Sequence, residues 1–193
     1  MTNVTLESPL VGKARLGKRE LVVDGRTCHI DEVPFIEMVN LRGNSADPAF
    51  VAGVQQATGL ALPVKANTFS SNEQRQLFWL GPDEWLLKTR DGQGLAVEAA
   101  LRSALAGQHF ATVQVGSGNT TLVVEGAAAA ELLARGCPLD LHPRACPAGT
   151  LAQTHVAKAG VVLLCTEAGK RFELTVRRSF ASYLFDWLCE AGS

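Results

Sequence analysis

The chain has 193 residues, 47% hydrophobic and 19% charged, with 18 basic against 19 acidic side chains and a formal net charge of -1. Such a composition is that of a globular protein, and a chain this long buries roughly 70% of its unfolded surface, so it needs neither disulfides nor metal to fold. The balanced charge speaks against a nucleic-acid binder, which gathers Lys and Arg into one patch; the basic clusters here are Lys13, Arg15, Lys18, Arg19 near the start and Arg177, Arg178 near the end.

In chain order, residues 1–18 show no clear period and read as an irregular arm containing Ser8-Pro9. Leu21-Val22-Val23, Asp24-Gly25 and Cys28-His29-Ile30 then spell a hairpin, because Asp-Gly adopts the positive φ angles of a tight two-residue turn. A strand is expected over 35–41. Asp47 with Pro48 behind it reads as an N-cap and first-turn proline, opening a helix that turns Phe50, Val54 and Ala57 inward and stops at Gly59. Residues 62–72 read as a long loop. Strands over 77–80 and 85–88 follow, joined by Gly81-Pro82-Asp83-Glu84, and then a helix over 95–105 with Val97, Leu101, Ala104 and Leu105 on one face.

Beyond these lie expected strands at 110–115 and 121–125, with Gly116-Ser117-Gly118-Asn119-Thr120 as a hairpin turn between them. An alanine-rich helix over 127–135 ends at Gly136, with Pro138 beyond. After a loop over 137–149 come strands at 151–157, 161–165 and 172–177. Ser179 then reads as the cap of a last helix with Phe180, Tyr183, Leu184, Trp187 and Leu188 in one apolar stripe. The order strand–helix–strand–strand–helix thus occurs twice, in 35–106 and 120–191. The expected fold is α+β, mainly antiparallel sheets with helices packed on them. Residues 19–193 are expected to form a single compact domain with halves at about 19–106 and 107–193.

Candidate chemistry is sparse. His29, His109, His142 and His155 belong to no HExxH pair and no nucleophile elbow. Cys137, His142 and Cys146 offer three metal-ligand types within ten residues, but a zinc site wants a fourth ligand and paired spacing, so packing is the better reading. The Gly116–Thr120 segment lacks the Gly-Lys-Ser/Thr ending of a P-loop and leads into a strand; Gly126, opening the next helix, is the better anion candidate. Asp83 and Glu84 point to opposite faces if extended and are assigned to turn chemistry. Trp79 and Trp85 suit either the core or a partner-facing patch. A buried Arg177 or Arg178 would need a carboxylate, with Asp140, Glu173 and Asp186 as candidates, in either an interface ion pair or a substrate clamp. No catalytic, cofactor-binding or metal residue is assigned. The five cysteines lack a framework spacing, residues 1–17 lack the apolar core of a signal peptide, and no stretch approaches the ~18 apolar residues of a membrane span, so a cytoplasmic location is expected.

Three segments carry a family resemblance: Gly126-Ala127 with Glu131-Leu132-Leu133-Ala134-Arg135-Gly136-Cys137-Pro138-Leu139-Asp140-Leu141-His142-Pro143-Arg144; Phe172-Glu173-Leu174-Thr175-Val176-Arg177-Arg178-Ser179-Phe180-Ala181 through Trp187-Leu188; and Asn67-Thr68-Phe69-Ser70-Ser71-Asn72 with Leu80-Gly81-Pro82-Asp83-Glu84-Trp85-Leu86-Leu87. Together, in order from Ser8-Pro9-Leu10 onward, they resemble the gamma subunit of heterotetrameric sarcosine oxidase. The resemblance implies a complex that demethylates sarcosine with oxygen as acceptor, releasing glycine and hydrogen peroxide and passing the one-carbon unit to tetrahydrofolate. It implies larger alpha and beta subunits and a small delta subunit as partners, with FAD, FMN, NAD and tetrahydrofolate on those chains and none on this one. The implied fold is that of the folate-binding domain of glycine-cleavage aminomethyltransferase. Two departures from folate-using relatives stand out: no Asp-x-Leu-Arg-x-Glu segment follows the last helix, and Val113-Gln114-Val115-Gly116-Ser117 lacks the carboxylate of a Val-x-Asp-x-Ser strand ending. A structural subunit is therefore the first expectation, with the arm at 1–18 and part of the Trp79/Trp85 hairpin or the last helix at contacts. A stand-alone folate-binding or one-carbon transfer protein is the alternative.

Overall fold

A computed structural model describes residues 7–11, 18–90 and 92–193. The expected arm therefore lies outside the described residues except at 7–11 and Lys18. The chain gathers into two compact units, one joining the residues up to Phe35 with Gly118–Ser193, the other formed by Ile36–Ser117. Both are α+β with antiparallel sheets.

The continuous unit is built on a five-stranded sheet of β3 (Glu37–Arg42), β4 (Phe69–Ser71), β5 (Arg75–Gly81), β6 (Glu84–Thr89) and β7 (Ala111–Gln114), in the order β4-β5-β6-β3-β7. Two helices cover one face, α1 (Pro48–Thr58) and α2 (Gly94–Ala104). Helix α1 follows its sequence signals: Asp47 accepts from the Ala49 N–H at 2.8 Å, Pro48 occupies the first turn, and Gly59 closes the helix at φ 73° with its N–H on the Gln55 carbonyl. Helix α2 has no capping side chain of its own, and Glu37 on β3 accepts the Gly94 N–H at 2.8 Å instead. Val39, Leu41, Leu77, Trp85 and Leu87 on the sheet meet Phe50, Val54, Val97 and Leu101 on the helices, all buried. Trp85 is wholly core: its ring lies 5.7 Å from that of Phe50 and its indole N–H donates to the Pro63 carbonyl at 2.7 Å, satisfying the polar end of a buried ring. Trp79 packs against the same core from a partly buried position.

The discontinuous unit holds a six-stranded sheet of β1 (Arg19–Val23), β2 (Arg26–Val33), β8 (Asn119–Gly126), β9 (Leu151–Val156), β10 (Ala159–Glu167) and β11 (Arg171–Arg177), in the order β1-β2-β8-β11-β10-β9. Helices α3 (Ala129–Ala134) and α4 (Arg178–Ala191) pack on it. Asp24 at φ 49° and Gly25 at φ 75° make the expected tight turn of the β1–β2 hairpin. Ile30, Leu122, Val124, Leu163, Phe172 and Leu174 form the floor of a core that Leu132, Leu133, Leu184 and Leu188 close from above. Leu10 also belongs to it, at 1% exposure. Ser8 donates to Glu32 on β2, whose other carboxylate oxygen accepts from Thr120 at 2.5 Å, and Arg178 donates to the Glu7 carbonyl at 2.6 Å. Residues 7–11 are thus tied into their own unit.

The repeated pattern is present and extends further than the sequence suggested. β3-α1-β4-β5-β6-α2 and β8-α3-β9-β10-β11-α4 follow one another with the same sheet order, β4-β5-β6-β3 matching β9-β10-β11-β8. In each unit a further strand pairs with the first strand of the repeat, β7 with β3 and β2 with β8. The expected halves at 19–106 and 107–193 are therefore redrawn. β2 runs antiparallel to β8 from Cys28↔Gly126 to Val33↔Thr121, which takes the first hairpin into the unit of the C-terminal strands.

Four local expectations change for related reasons. Strand β3 begins at Glu37 rather than Phe35, because Pro34 opens a turn that sets Phe35 at φ 60° with its ring 53% exposed. β4 emerges within the expected 62–72 loop; it is three residues long, with the Phe69 ring edge-on to Phe78 at 5.7 Å. Gly116–Gly118 is a short 3-10 turn connecting strands of two different sheets, not a hairpin turn. Ser179 is not the cap of α4: β11 passes directly into the helix at Arg178, which places Ser179 inside the first turn.

Candidate functional site

The continuous unit carries an open cleft of about 880 Å³ beside the β5–β6 turn, lined by Arg42, Asn44, Ser45, Asp83, His109 and Phe110 among others. Arg42 closes β3 and faces the turn across the sheet, where Arg42 and Glu84 are register partners. Its guanidinium lies 2.6 Å from Asp83 and 3.7 Å from Glu84, and Glu84 also accepts from the Asn40 side chain at 2.8 Å. The turn backbone is fastened as well, since the Gly43 N–H donates to the Asp83 carbonyl at 3.1 Å. The two adjacent carboxylates thus share one cation, which the turn permits although an extended chain would separate them. The Arg42 hydrogen bond holds the Asp83 carboxyl below the usual carboxylate range. An exposed carboxylate so held is a weak base and a stable ion-pair member, unsuited to taking a proton at neutral pH.

A smaller recess of about 130 Å³ in the same unit is lined by Asn72, Glu73, Gln74, Arg75, Gln76, Lys88 and Arg90. Lys88 is 1% exposed, with its ammonium 5.4 Å from the centre of the Phe78 ring. Asn72 shapes the rim by accepting from the Gln74 and Arg75 N–H groups, and Arg75 donates to the Thr58 carbonyl at 3.1 Å. Lys88 was legible only as the end of a strand. Its signal is position: it follows Trp85-Leu86-Leu87, all buried, in a strand enclosed on both faces.

The other sequence candidates separate into packing and surface. Cys137 and Cys146 are buried, whereas His142 lies at the surface, its ring Nδ1 accepting from the Arg144 N–H and its own N–H donating to Asp140. Among the described residues no group of three or more His, Cys, Asp or Glu side chains is placed to hold a metal. Burial, then the neighbouring Cys146, pushes the Cys165 thiol up to about 11, and burial, then the charge of Glu131, raises Cys28. Both thiols stay protonated, and thiols in that state are poor nucleophiles. His29 lies 3.8 Å from Glu20 across the β1–β2 hairpin. Gly126 proves to be a packing glycine: a Cβ there would lie 2.6 Å from the Cys28 Cα and the Thr27 carbonyl oxygen. The following helix has six residues, too short to serve as an anion site. Gly116 likewise packs on β3, where a Cβ would meet the Ile36 carbonyl oxygen and the Met38 nitrogen at 3.1 Å, whereas a Cβ at Gly118 would meet nothing within 4 Å. Arg178 donates to the Glu7 carbonyl, and Glu173 lies 3.5 Å from Arg171.

The chain matches the model of the sarcosine oxidase, gamma subunit family over residues 42–193. It is 30% identical to the sarcosine oxidase subunit gamma of Corynebacterium sp. strain U-96 over 190 residues, covering 96% of this chain and 89% of the relative. To the corresponding subunit of Corynebacterium sp. strain P-1 it is 30% identical over 168 residues, 86% of this chain and 81% of the relative. A chain of the solved heterotetrameric sarcosine oxidase from Corynebacterium sp. U-96, in complex with pyrrole 2-carboxylate, superposes with a TM-score of 0.87 at 28% identity, covering 96% of this chain and 94% of that one. Aminomethyltransferase T of the glycine cleavage system from Bartonella henselae shares the fold, with a TM-score of 0.64 at 16% identity over 95% of this chain and 57% of that one. With the family model spanning most of the sequence and the fold matched almost end to end, the chain belongs to the sarcosine oxidase gamma subunit family.

Proposed function

We propose that the chain is the structural gamma subunit of a heterotetrameric oxidase. The complex demethylates sarcosine to glycine with oxygen, releases hydrogen peroxide, and forms 5,10-methylenetetrahydrofolate when tetrahydrofolate is present. The observation that carries this reading is the match of nearly the whole chain to one chain of the solved heterotetramer, at a TM-score of 0.87. The complex supplies larger alpha and beta subunits and a small delta subunit, which carry FAD, FMN, NAD and tetrahydrofolate and perform the chemistry. This chain covers apolar surface on those partners and holds their orientation, which positions reacting groups without touching them. The chemistry of its own residues supports that division of labour. Its Asp83 carboxylate is paired with Arg42, its Cys28 and Cys165 thiols are held protonated, and Gly116 packs against β3. The reading places the complex in the cytoplasm, in keeping with five cysteines that lack a framework spacing. A stand-alone folate protein draws only on a fold shared at 16% identity, which does not carry an activity.

The test is co-expression with the larger subunits of its own cell. Affinity purification of this chain should bring down those subunits, a flavin absorption spectrum and sarcosine-dependent peroxide. Recovery of a complete, folate-responsive oxidase in cells lacking this chain would refute the structural role.

A further inference from the structure

The loop over 137–149 folds back on β10 of its own unit at one cysteine. The Cys165 N–H donates to the Thr150 carbonyl at 2.9 Å, and the Cys165 carbonyl accepts from the Gly149 N–H at 2.8 Å, so both backbone groups of that residue hold the end of the loop. The loop is tightened by a turn in which the Ala145 and Cys146 N–H groups both donate to the His142 carbonyl at 2.8 Å, and the Thr150 hydroxyl donates to the Pro147 carbonyl at 2.7 Å. This lacing sets the Cys165 sulfur 3.6 Å from the Cys146 carbonyl oxygen, and the two thiols hydrogen-bond to one another. Two free cysteines 19 residues apart in sequence thus lie side by side.

They differ in shelter. Cys165 is 0% exposed on a strand paired with β11, and reaching it requires parting the two strands. Cys146, at 2% exposure, hangs beneath a surface loop: the four residues before it and the three after it are all exposed. Opening that loop is a local event that leaves the sheet paired, and it brings Cys146 to solvent first.

We propose that Cys146 and Cys165 form a peroxide-sensitive pair that closes to a disulfide, with Cys146 the thiol that meets the oxidant and Cys165 the one that resolves it. In the first step the Cys146 sulfur attacks hydrogen peroxide. The O–O bond breaks, the sulfur keeps one oxygen as a sulfenic acid, and the departing hydroxide takes the thiol proton to become water. In the second step the Cys165 sulfur displaces that hydroxyl. The S–O bond breaks, the S–S bond forms, and the Cys165 proton leaves in a second water. The pair loses two electrons, and one peroxide becomes two waters. A protonated, buried Cys165 suits the second role, where proximity offsets poor nucleophilicity, and not the first. Hydrogen peroxide is the product that the subunit reading assigns to the complex, so the source of the oxidant rests on that reading. A reversible cross-link of this kind, the form disulfides take in reducing compartments, pins the loop to β10 while peroxide is abundant.

The test treats the full chain with hydrogen peroxide, blocks the remaining thiols with N-ethylmaleimide in denaturant, and maps peptides without reduction. A cross-linked peptide joining Cys146 to Cys165 is expected, with Cys28 and Cys137 still alkylated and dithiothreitol restoring both thiols. Closing a loop of this length should raise the thermal midpoint by about 6–12 °C, reversed by the reductant. In Cys165→Ala, dimedone should trap a sulfenic acid at Cys146; in Cys146→Ala, Cys165 should stay reduced. Full alkylation of both cysteines in the wild-type, at a peroxide dose that has oxidised the half-buried Cys189, overturns the proposal without any variant having to fold. A cross-link from either one to a different cysteine overturns it too, as does oxidation of Cys165 in Cys146→Ala. Because the peroxide is added as a reagent, these outcomes stand apart from the subunit reading, which fails instead if the chain does not bring down the larger subunits.

Discussion

Leu10→Ala separates two roles for the N-terminal segment. If residues 7–11 belong to the fold of their own unit, the substitution weakens the chain itself; if they serve only as a contact for another subunit, it weakens assembly alone. Leu10 is 1% exposed among the residues of the discontinuous unit's core. Leu→Ala at a fully packed core site costs about 2–5 kcal/mol, the transfer of the lost methyl groups plus the cavity left behind. Leu10 lies on a short tied-down segment that can settle into part of that cavity, which favours the lower part of the range, about 2–3 kcal/mol. For a chain of this length each kcal/mol shifts the thermal midpoint by about 2–4 °C, so a fall of about 4–12 °C is expected. Differential scanning calorimetry of the full chain, free of partners, measures it. Ser8→Ala supplies the graded comparison: it removes the donor to Glu32 while leaving the Thr120 bond, and its effect should be smaller, about 0.5–1.5 kcal/mol. A midpoint unchanged to within about 1 °C in Leu10→Ala would show that Leu10 does not pack in the core, and with it the tether would fail.

Gly136→Ala should displace the Trp187 ring, because the new Cβ would lie 2.4 Å from its Cη2 and 3.0 Å from the Ala157 nitrogen; a loss of about 1–3 kcal/mol and a red-shifted tryptophan emission are expected. In an NMR titration the Asp83 carboxyl should protonate at lower pH than a free aspartate and return upward in Arg42→Ala. Because the folded-state value is depressed, the pair's contribution is present above the ordinary aspartate range and is lost as pH falls through the folded value. Raising the salt concentration should shrink that difference, as for any exposed ion pair. Native alkylation with iodoacetamide should modify Cys189, the half-buried thiol, well before Cys28 or Cys165. With Cys165 raised from 9.0 to about 11, its contribution to stability is complete below pH 9 and is lost between there and about 11, so alkaline unfolding should steepen in that window.

Much of the local structure was legible because its causes are local. Asp47, Pro48 and Gly59 bound α1 with side-chain and backbone properties that act within a few residues, and Asp24-Gly25 dictates its own turn. What escaped reading depends on residues distant in sequence. The three residues of β4 carry no period of their own and are a strand only because β5 lies beside them. Ser179 has the chemistry of a cap, yet nothing in its neighbourhood announces that β11 leaves no room for a loop. The unit boundary was misplaced because β2 is continuous in sequence with β3 but paired with β8. The same limit governs the sites: Arg42 and Asp83 are 41 residues apart and meet only through the β3–β6 register.

The pairing of β2 with β8 also has a consequence in time. As the chain leaves the ribosome, the β1–β2 hairpin emerges early and must wait for β8, which begins only at Asn119. At a usual 5–20 residues per second that wait is roughly 5–20 s. An isolated two-stranded hairpin is marginal in water. The Ile36–Ser117 unit, uninterrupted in sequence, can close around its own core meanwhile. The waiting edge of β2 is correspondingly rich in charge, with Arg26, Asp31 and Glu32 along it, and β1 carries Arg19 and Glu20. These residues discourage a stray strand from taking the place reserved for β8 until β8 itself has been made.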